Sequence, residues 1–406
     1  MVAGGFGFSR KDGKVYLVKG AYPGELVEIL VEKERKDVVL AKTKCVLKPS
    51  NDRISPPCEH FKSCGGCEWM DVDYERQLEY KAEIFVDQMS HTAKMKVLKP
   101  TVLSTSPYHY RNKVEFAVNS EKLGFFRKGT NDFISINRCF ISSKRLNKLK
   151  SKVEGVLNER RKFALNLDRV MLRVARENML VFVSSNRINP PKIEEADNVI
   201  SLKNHSHSVD KGYQIVHKGR AFLGVNLNGI EYTIPAKSFF QVNYQGAIKL
   251  AQTVKKYANE GEKLLDLYCG VGFLSLQLAD SYKRVVGVES SNASVKAAIR
   301  NAKINGIFNI RFISSRVQNW VSNEHFDAVL VDPPRSGIDF GVIQKIVNLN
   351  PSKVIYASCD VTTLARDVKA FMKSGYSFRA ATLIDMFPQT HHFEVVALLK
   401  RDKGRH

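Results

Sequence analysis

The chain has 406 residues, of which 44% are hydrophobic and 26% are charged, and its formal net charge is +22. That length allows two or three packed domains, and the hydrophobic content excludes wholesale disorder. The excess of positive charge predicts a polyanionic partner, most simply a nucleic acid. No apolar run reaches the ~18 residues of a membrane span, and the N-terminal residues lack an apolar signal core. We therefore expect a cytoplasmic protein with no membrane partner, no evident obligate protein partner and reduced cysteines.

Residues 1–50 contain short segments that alternate apolar and polar side chains, such as GKVYLVKG and GELVEILVE. This alternation predicts strands, and YPG between the two segments supplies a turn. We expect a small β-barrel domain over residues 1–50. The prolines and small polar residues of KPSNDRISPPC then predict a linker.

Three of the seven cysteines lie close together in CEHFKSCGGC, at Cys58, Cys64 and Cys67. In a reducing compartment this spacing indicates metal ligands or reactive thiols rather than disulfides. Three thiols do not complete a tetrahedral site or a four-iron cluster, so a fourth ligand must come from elsewhere. Zinc and an iron–sulfur cluster both suit thiolate ligands, and the spacing does not choose between them.

Residues 51–237 mix helical and strand patterns, which predicts a central α+β domain. DYERQLEYKAEIFVDQM has apolar residues at helical spacing and predicts a helix at about 74–96, a candidate to pack on the C-terminal domain. KVEFAV, MLRVARENMLVFVSS and GIEYTIPA predict strands. SSKRLNKLKSKVEGVLNERRKF predicts a basic helix, whose charges suit either a solvated face or contact with phosphate.

Residues 238–406 alternate apolar runs with helical stretches, which predicts a doubly wound α/β domain. In LLDLYCGVG a strand leads into a turn at Gly270 and Gly272, where the backbone can approach a ligand. Glu289 ends the next strand, where an acid can accept both ribose hydroxyls of an adenosine. Asp332 follows an apolar strand in VLVDPPRSG, and two prolines stiffen its loop at the ligand-binding edge. These stretches resemble the class I S-adenosylmethionine-dependent methyltransferases.

Two further residues carry candidate chemistry in this domain. Cys359 ends an apolar strand in KVIYASCD, and Glu394 begins the strand EVVALL. A cysteine thiolate is the strongest side-chain nucleophile near neutral pH, and a nearby carboxylate is a natural proton acceptor. If the last two strands form a hairpin, both residues lie at the same edge of the sheet. Cys269, inside the glycine turn, is expected to be structural.

Six stretches, taken in order, resemble the RNA 5-methyluridine methyltransferases, which methylate C5 of uridine in ribosomal or transfer RNA. They span residues 58–399 and are CEHFKSCGGC, SFFQVN, LDLYCGVG, VDPPRSG, ASCD and HHFEVVALL. The resemblance implies that S-adenosylmethionine supplies the methyl group, that Cys359 adds to C6 of uracil and that Glu394 removes the C5 proton. It also implies cofactor contacts by Gln241, Tyr268, Glu289 and Asp332.

The same resemblance bears on the metal and on the N-terminal domain. It places the fourth cysteine at Cys139, in SINRCF, and favours a [4Fe–4S] cluster over zinc. The implied ligands are Cys58, Cys64, Cys67 and Cys139. Residues 1–50 resemble a TRAM domain, a small barrel of the oligonucleotide-binding type. Cluster and barrel together resemble the 23S ribosomal RNA members, although some archaeal-type transfer RNA enzymes also carry both.

The chain departs from the family pattern at two positions, and two other interpretations stay open. Phe273 stands where some members have Asn, and Asp360 stands after the nucleophile where many have Asn. A catalytically inactive RNA-binding protein would also explain the charge, but it would leave Cys359 and Glu394 idle. A radical S-adenosylmethionine enzyme would use CxxxCxxC, whereas this chain has CxxxxxCxxC. The choice between ribosomal and transfer RNA stays open at this point.

Overall fold

The structure is a computed structural model, and it describes residues 1–203 and 213–402. The helices in this part of the chain are α1 (Tyr74–His91), α2 (Lys144–Glu159), α3 (Arg161–Ala164), α4 (Tyr244–Ala258), α5 (Phe273–Gln277), α6 (Asn292–Ile304), α7 (Phe340–Asn348) and α8 (Val361–Lys373). The strands are β1 (Phe6–Lys11), β2 (Lys14–Lys19), β3 (Leu26–Glu34), β4 (Val38–Lys48), β5 (Thr101–Leu103), β6 (Lys113–Asn119), β7 (Lys122–Phe126), β8 (Phe133–Ser135), β9 (Arg169–Val174), β10 (Asn178–Ser184), β11 (Asn198–Lys203), β12 (Tyr213–Lys218), β13 (Phe222–Leu227), β14 (Ile230–Pro235), β15 (Gly261–Leu267), β16 (Tyr282–Glu289), β17 (Ile310–Ser314), β18 (Ala328–Val331), β19 (Lys353–Ser358), β20 (Tyr376–Ile384) and β21 (Glu394–Arg401).

The chain folds into two compact units, each of which combines sheets with helices. The first unit comprises Met1–Phe61, Gly66–Thr105 and Asp332–His406, and the second comprises Lys62–Gly65 and Ser106–Val331. The first unit joins segments that are distant in sequence, and the domain boundaries expected at residues 50 and 237 stay predictions. No helix in the described ranges combines the length and the apolar character that crossing a membrane requires.

The N-terminal residues of the first unit form a four-stranded sheet in the order β1-β2-β4-β3. Its strands pair antiparallel except β2 with β4, and Val18, Ala21 and Ala41 form its small core. Within residues 1–50, β1 and β3 are the outer strands of this sheet, and the small β-barrel expected there stays a prediction. Four strands are one fewer than an oligonucleotide-binding barrel uses.

The remaining strands of the first unit are ordered β19-β21-β20-β5. The last two strands pair antiparallel, which confirms the predicted hairpin, and β21 also pairs antiparallel with β19. Helix α1 contacts α8 and β5. Its fully buried Lys81 binds the Asp385 carboxylate at 2.5 Å, and the Tyr74 hydroxyl donates to the other oxygen of Asp385 at 2.8 Å. These contacts fix the start of the loop that leads to Glu394.

The second unit contains a seven-stranded sheet, a hairpin and a group of parallel strands. The large sheet is ordered β12-β11-β10-β9-β6-β7-β8, and the buried face of α2 joins Val170 and Leu172 of β9 in one core. Strands β13 and β14 form the hairpin. The parallel strands run β17-β16-β15-β18, and their near-continuous apolar sequences suit strands that are covered on both faces.

Candidate active site

Strand pairing places Cys359 and Glu394 at the same edge of the first unit. Ser358, at the end of β19, lies opposite Val395 of β21. Cys359 follows Ser358 and Glu394 precedes Val395, so the next position in the antiparallel register holds these two residues. Glu394 is 6% exposed, and the Cys359 thiol is half-buried and free. The edge therefore carries a nucleophile beside a buried carboxyl group.

Burial and nearby negative charge raise the pKa values of three acidic groups in the first unit. Burial raises the pKa of the Cys359 thiol to about 11, and the negative charge of Glu394 raises it further. Burial raises the pKa of Glu394 well above its usual range, with a further contribution from Asp332. Burial also raises the pKa of Asp332 to about 7. A cluster of carboxyl groups and a thiol with shifted pKa values is typical of catalytic sites.

Arg335 is the cation that opposes these shifts. Its positive charge lowers the pKa of Cys359 and of Glu394, and its side chain is exposed. It therefore favours the thiolate and the carboxylate. No role is predicted for Arg335 from the sequence, although a cation directly after Asp-Pro-Pro could have indicated one.

The departure at Asp360 has a structural explanation. Its carboxylate caps the N-terminus of α8 and accepts hydrogen bonds from the backbone N–H groups of Thr362 at 2.9 Å and Thr363 at 3.0 Å. Its charge is the weakest of the influences on the Cys359 pKa. A helix cap of this kind stabilises by about 1 kcal/mol, so the residue serves the start of the helix that follows Cys359.

The second unit carries the glycine turn. Tyr268 adopts a left-handed backbone conformation with φ of 66°, and Gly272 has φ of 79°. A Cβ atom added at Gly272 would lie 2.6 Å from the Leu276 side chain, so glycine is required there. The Gly270 N–H donates to the Glu289 carboxylate at 3.2 Å, and the Ser291 N–H donates to its other oxygen at 2.6 Å. Strained backbone and a fixed carboxylate are typical of turns that bind ligands.

The departure at Phe273 also has an explanation in packing. Its ring is 8% exposed and lies 5.6 Å from the ring of Tyr232 and 5.4 Å from that of Phe240. The Tyr232 hydroxyl donates to the Phe273 carbonyl at 3.1 Å. The side chain therefore joins an aromatic cluster in the core instead of offering a polar group to a ligand.

Gln241 lies in the segment 238–243, which connects the β13–β14 hairpin to α4. Gln241 is 7% exposed, and its backbone carbonyl accepts a hydrogen bond from the side-chain amide of Asn112 at 3.1 Å. Asn243 caps α4 by accepting from the Gly246 N–H at 3.1 Å. Between them and the hairpin, Phe239 is 76% exposed. An aromatic ring held in solvent on a fixed segment suits stacking with a base, and the sequence analysis did not single it out.

None of the four predicted metal ligands forms a disulfide. Cys58, Cys64, Cys67 and Cys139 are each half-buried. Cys58 and Cys67 belong to the first unit, and Cys64 and Cys139 belong to the second. In the described ranges, no group of three or more His, Cys, Asp or Glu residues is arranged to hold a metal ion. The chemistry of the donor set fits a thiolate-bound metal.

Comparison with known proteins identifies relatives along the whole chain. A family model described as tRNA (Uracil-5-)-methyltransferase matches residues 73–323 and 315–402. An uncharacterized RNA methyltransferase of Thermotoga maritima is 36% identical over 435 residues, which cover 99% of this chain and 98% of the relative. The 23S rRNA (uracil(1939)-C(5))-methyltransferase RlmD of Shewanella amazonensis is 31% identical, and the match covers 98% of this chain and 93% of that protein.

A solved structure gives the same result at the level of the fold. The tRNA (uracil-54, C5)-methyltransferase of Pyrococcus abyssi, in complex with S-adenosyl-L-homocysteine, superposes with a TM-score of 0.80 and 28% identity. The match covers 98% of this chain and 97% of that chain. The family model spans far more than half of the sequence, and the resemblance stated from the motifs is confirmed. The chain belongs to the tRNA (uracil-5-)-methyltransferase family and is an S-adenosylmethionine-dependent RNA methyltransferase.

Proposed function

We propose that this enzyme methylates C5 of uridine in 23S ribosomal RNA through a covalent bond between Cys359 and C6 of the base. The observation that carries the proposal is the register of β19 and β21, which brings a thiol and a buried carboxyl group to one strand edge. Asp332 and Arg335 act electrostatically on the same two groups. A nucleophile, a proton acceptor and a tuning cation are the groups that this substitution requires.

Cys359 and Glu394 act at different steps of the proposed reaction. Uracil is a poor nucleophile at C5, so the Cys359 thiolate first forms a bond to C6 and the displaced electron pair becomes an enolate through C5 and O4. S-adenosylmethionine supplies the methyl group that C5 then accepts. Glu394 takes the C5 proton, the C5–C6 double bond re-forms and the C6–S bond breaks. The thiolate is regenerated, so the steps balance.

Proton release precedes this chemistry. The pKa of the Cys359 thiol is raised to about 11, so the thiol is protonated at neutral pH, and burial shifts Glu394 toward its protonated form. The guanidinium of Arg335 favours the deprotonated form of each. Arg335 therefore supports the charged states that act as nucleophile and base.

We also propose a site for the cofactor, which includes the turn at Gly270 and Gly272. We assign Gln241, Tyr268, Glu289 and Asp332 to S-adenosylmethionine. Glu289 suits the ribose hydroxyls, because backbone N–H groups of Gly270 and Ser291 hold its carboxylate in position at the end of β16. The strained backbone of Tyr268 supports the same assignment.

Ribosomal RNA is the first candidate substrate, and transfer RNA is the second. The ribosomal proposal rests on the relative from Shewanella amazonensis, whose name states 23S rRNA. The second candidate is favoured by the Pyrococcus abyssi structure, whose title states a transfer RNA uridine-54 activity. In either RNA the target uridine must leave the base stack before Cys359 can reach C6. Phe239 is available to stack on a base that has been turned out in this way.

A methyl-transfer assay decides between the two substrates. The protein is incubated with radiolabelled S-adenosylmethionine and either 23S ribosomal RNA or transfer RNA from cells that lack the enzyme, and the RNA is digested to nucleosides. We expect labelled 5-methyluridine from the ribosomal RNA. Label in transfer RNA alone would establish the second candidate, and label in another nucleoside would contradict uridine C5 methylation.

The four cysteines are proposed to hold a [4Fe–4S] cluster. All four thiols are half-buried, and thiolates are the usual ligands of such clusters. We expect protein purified without oxygen to contain about four irons and four sulfides per chain. Substitution of Cys64 with Ser should lower the iron content, whereas the same change at the exposed Cys45 should not. A colourless protein that contains zinc instead of iron would refute the cluster.

The N-terminal sheet is proposed to contact RNA in the manner of a TRAM domain. Phe8 is 50% exposed on β1, and the guanidinium carbon of Arg10 lies 5.9 Å from the centre of its ring. An exposed aromatic ring beside a cation can stack on a base while the cation binds phosphate.

A further inference from the structure

Three cations gather on one face of the seven-stranded sheet in the second unit. Lys113 of β6 lies directly opposite Arg173 of β9 in the antiparallel register, so their side chains leave the same face. The Arg111 guanidinium donates to the Lys113 carbonyl at 2.9 Å. The positive charges of Arg173 and Arg111 both lower the pKa of Lys113. The three side chains are called the cationic trio below.

Arg173 is buried without a counter-ion. Its residue is 1% exposed, one terminal nitrogen makes only a long 3.4 Å bond to the Ser238 carbonyl, and the other is buried with no hydrogen-bond partner. Across the described ranges, Arg173 forms no ion pair with a carboxylate. Glu115, the acid that also acts on Lys113, is bound at 2.9 Å by Arg169. A buried guanidinium normally has a partner, because desolvating an unpaired charge is costly.

Burial disfavours the charged forms of Arg173 and Lys113. It lowers the pKa of Arg173 to about 10 and that of Lys113 to about 8. A bound anion would restore both pKa values, because an opposite charge nearby favours the protonated form. The cationic trio therefore offers positive charge that a bound oxyanion would stabilise.

The cationic trio lies next to the segment that presents the exposed ring of Phe239. Arg173 contacts Ser238, and Asn112, which lies between Arg111 and Lys113, donates to the Gln241 and Val242 carbonyls. The trio thus supports the segment 238–243, which presents the exposed Phe239. Arg111 and Lys113 are half-buried, so they form the rim of the site, with Arg173 beneath them.

We propose that Arg173, Lys113 and Arg111 bind one phosphate group of the RNA backbone, adjacent to the nucleotide that stacks on Phe239. This inference rests on RNA being the substrate in the proposed function. The other nearby oxyanion would be the carboxylate of the cofactor. That carboxylate belongs to an amino acid that also carries an ammonium and a sulfonium group, and three cations would repel both. An RNA phosphate carries only negative charge, and arginine is well suited to bind it.

Replacement of Arg173 by Met separates a binding role from a structural one. Met fills the site without charge, so the variant should be at least as stable as the unaltered protein in thermal unfolding. Its affinity for a fluorescein-labelled RNA hairpin with a uridine loop should fall about ten-fold, as for loss of one charge-assisted contact. The slope of log affinity against log salt should fall by about 0.7–0.9. Binding of S-adenosylmethionine, measured by calorimetry, should not change.

Two further variants sharpen the test. Lys113→Gln should weaken RNA binding in the same direction as Arg173→Met, because it removes a rim contact of the same phosphate. Arg169→Met is the matched control, since it removes the same charge from the same strand but from an arginine already paired with Glu115. It should leave RNA affinity and salt slope unchanged.

Several outcomes would overturn the inference. Loss of stability in Arg173→Met with unchanged RNA affinity would make Arg173 structural. Weaker S-adenosylmethionine binding with unchanged RNA affinity would assign the trio to the cofactor. Failure of the unaltered protein to bind the hairpin would also count against the phosphate site, whereas the methyl-transfer assay on natural RNA tests the proposed function independently.

Discussion

Alanine in place of Cys359 should lower the rate of uridine methylation by about 10⁴-fold or more, as expected for loss of a covalent nucleophile. RNA affinity should stay close to that of the unaltered protein, because the thiol is half-buried and forms no part of a charged contact surface. The change removes one sulfur atom at the end of β19, so we expect little effect on folding. Single-turnover methyl transfer and RNA binding are the two measurements.

Cys45→Ala is the control for this experiment, since Cys45 is the exposed thiol of the N-terminal sheet. It should retain the activity of the unaltered protein. Product formation by Cys359→Ala at an undiminished rate would refute covalent catalysis by this residue. Loss of RNA binding together with activity would instead point to a damaged fold.

Replacement of Glu394 by Gln should lower turnover by about 10²–10⁴-fold, the usual contribution of a general base. The carboxyl group is buried and its pKa is raised, which favours the uncharged form, so an amide of the same size should preserve the fold. The Cys359–C6 bond can still form in this variant, whereas the C5 proton is not removed. A covalent protein–RNA complex should therefore accumulate, and a denaturing gel would show it.

The origin of that complex can be checked directly. The double variant Glu394→Gln, Cys359→Ala should form no complex, because it lacks the attacking sulfur. Glu262→Gln changes an exposed glutamate that pairs with Lys283 and should turn over normally. Normal turnover by Glu394→Gln would show that another group takes the C5 proton.

The sequence predicts the elements that depend on local pattern. The helical spacing of apolar residues predicts α1, which ends at His91 rather than near residue 96, and the apolar runs predict β15, β16, β18 and β19. The pairing of the last two strands enters the sequence analysis only as a condition for bringing Cys359 and Glu394 together, and β20 and β21 do pair antiparallel. Whether the N-terminal strands close into a barrel does not follow from the sequence, because closure depends on pairing between distant strands, which alternation of apolar residues does not specify.

Features that depend on distant pairing are not visible in the sequence. Arg173 stands in β9, which is apolar apart from Arg169 and Arg173, and its lack of a counter-ion becomes apparent only when β9 lies beside β6, some sixty residues earlier in the chain. Phe239 and Gln241 are near neighbours, yet one is exposed and the other buried. Asp360, by contrast, precedes two threonines at a helix start and is a recognisable cap in the sequence alone.

The most direct test of the account uses RNA in which 5-fluorouridine replaces uridine. C5 of this base carries fluorine instead of hydrogen, so there is no C5 proton for Glu394 to remove. The covalent complex that contains Cys359 should therefore persist after the methyl group is transferred. Digestion and mass spectrometry should then find a methylated fluorouridine attached to the peptide that contains Cys359. Attachment at another residue, or methylation of natural RNA with no attachment to the fluorinated RNA, would contradict the proposed mechanism.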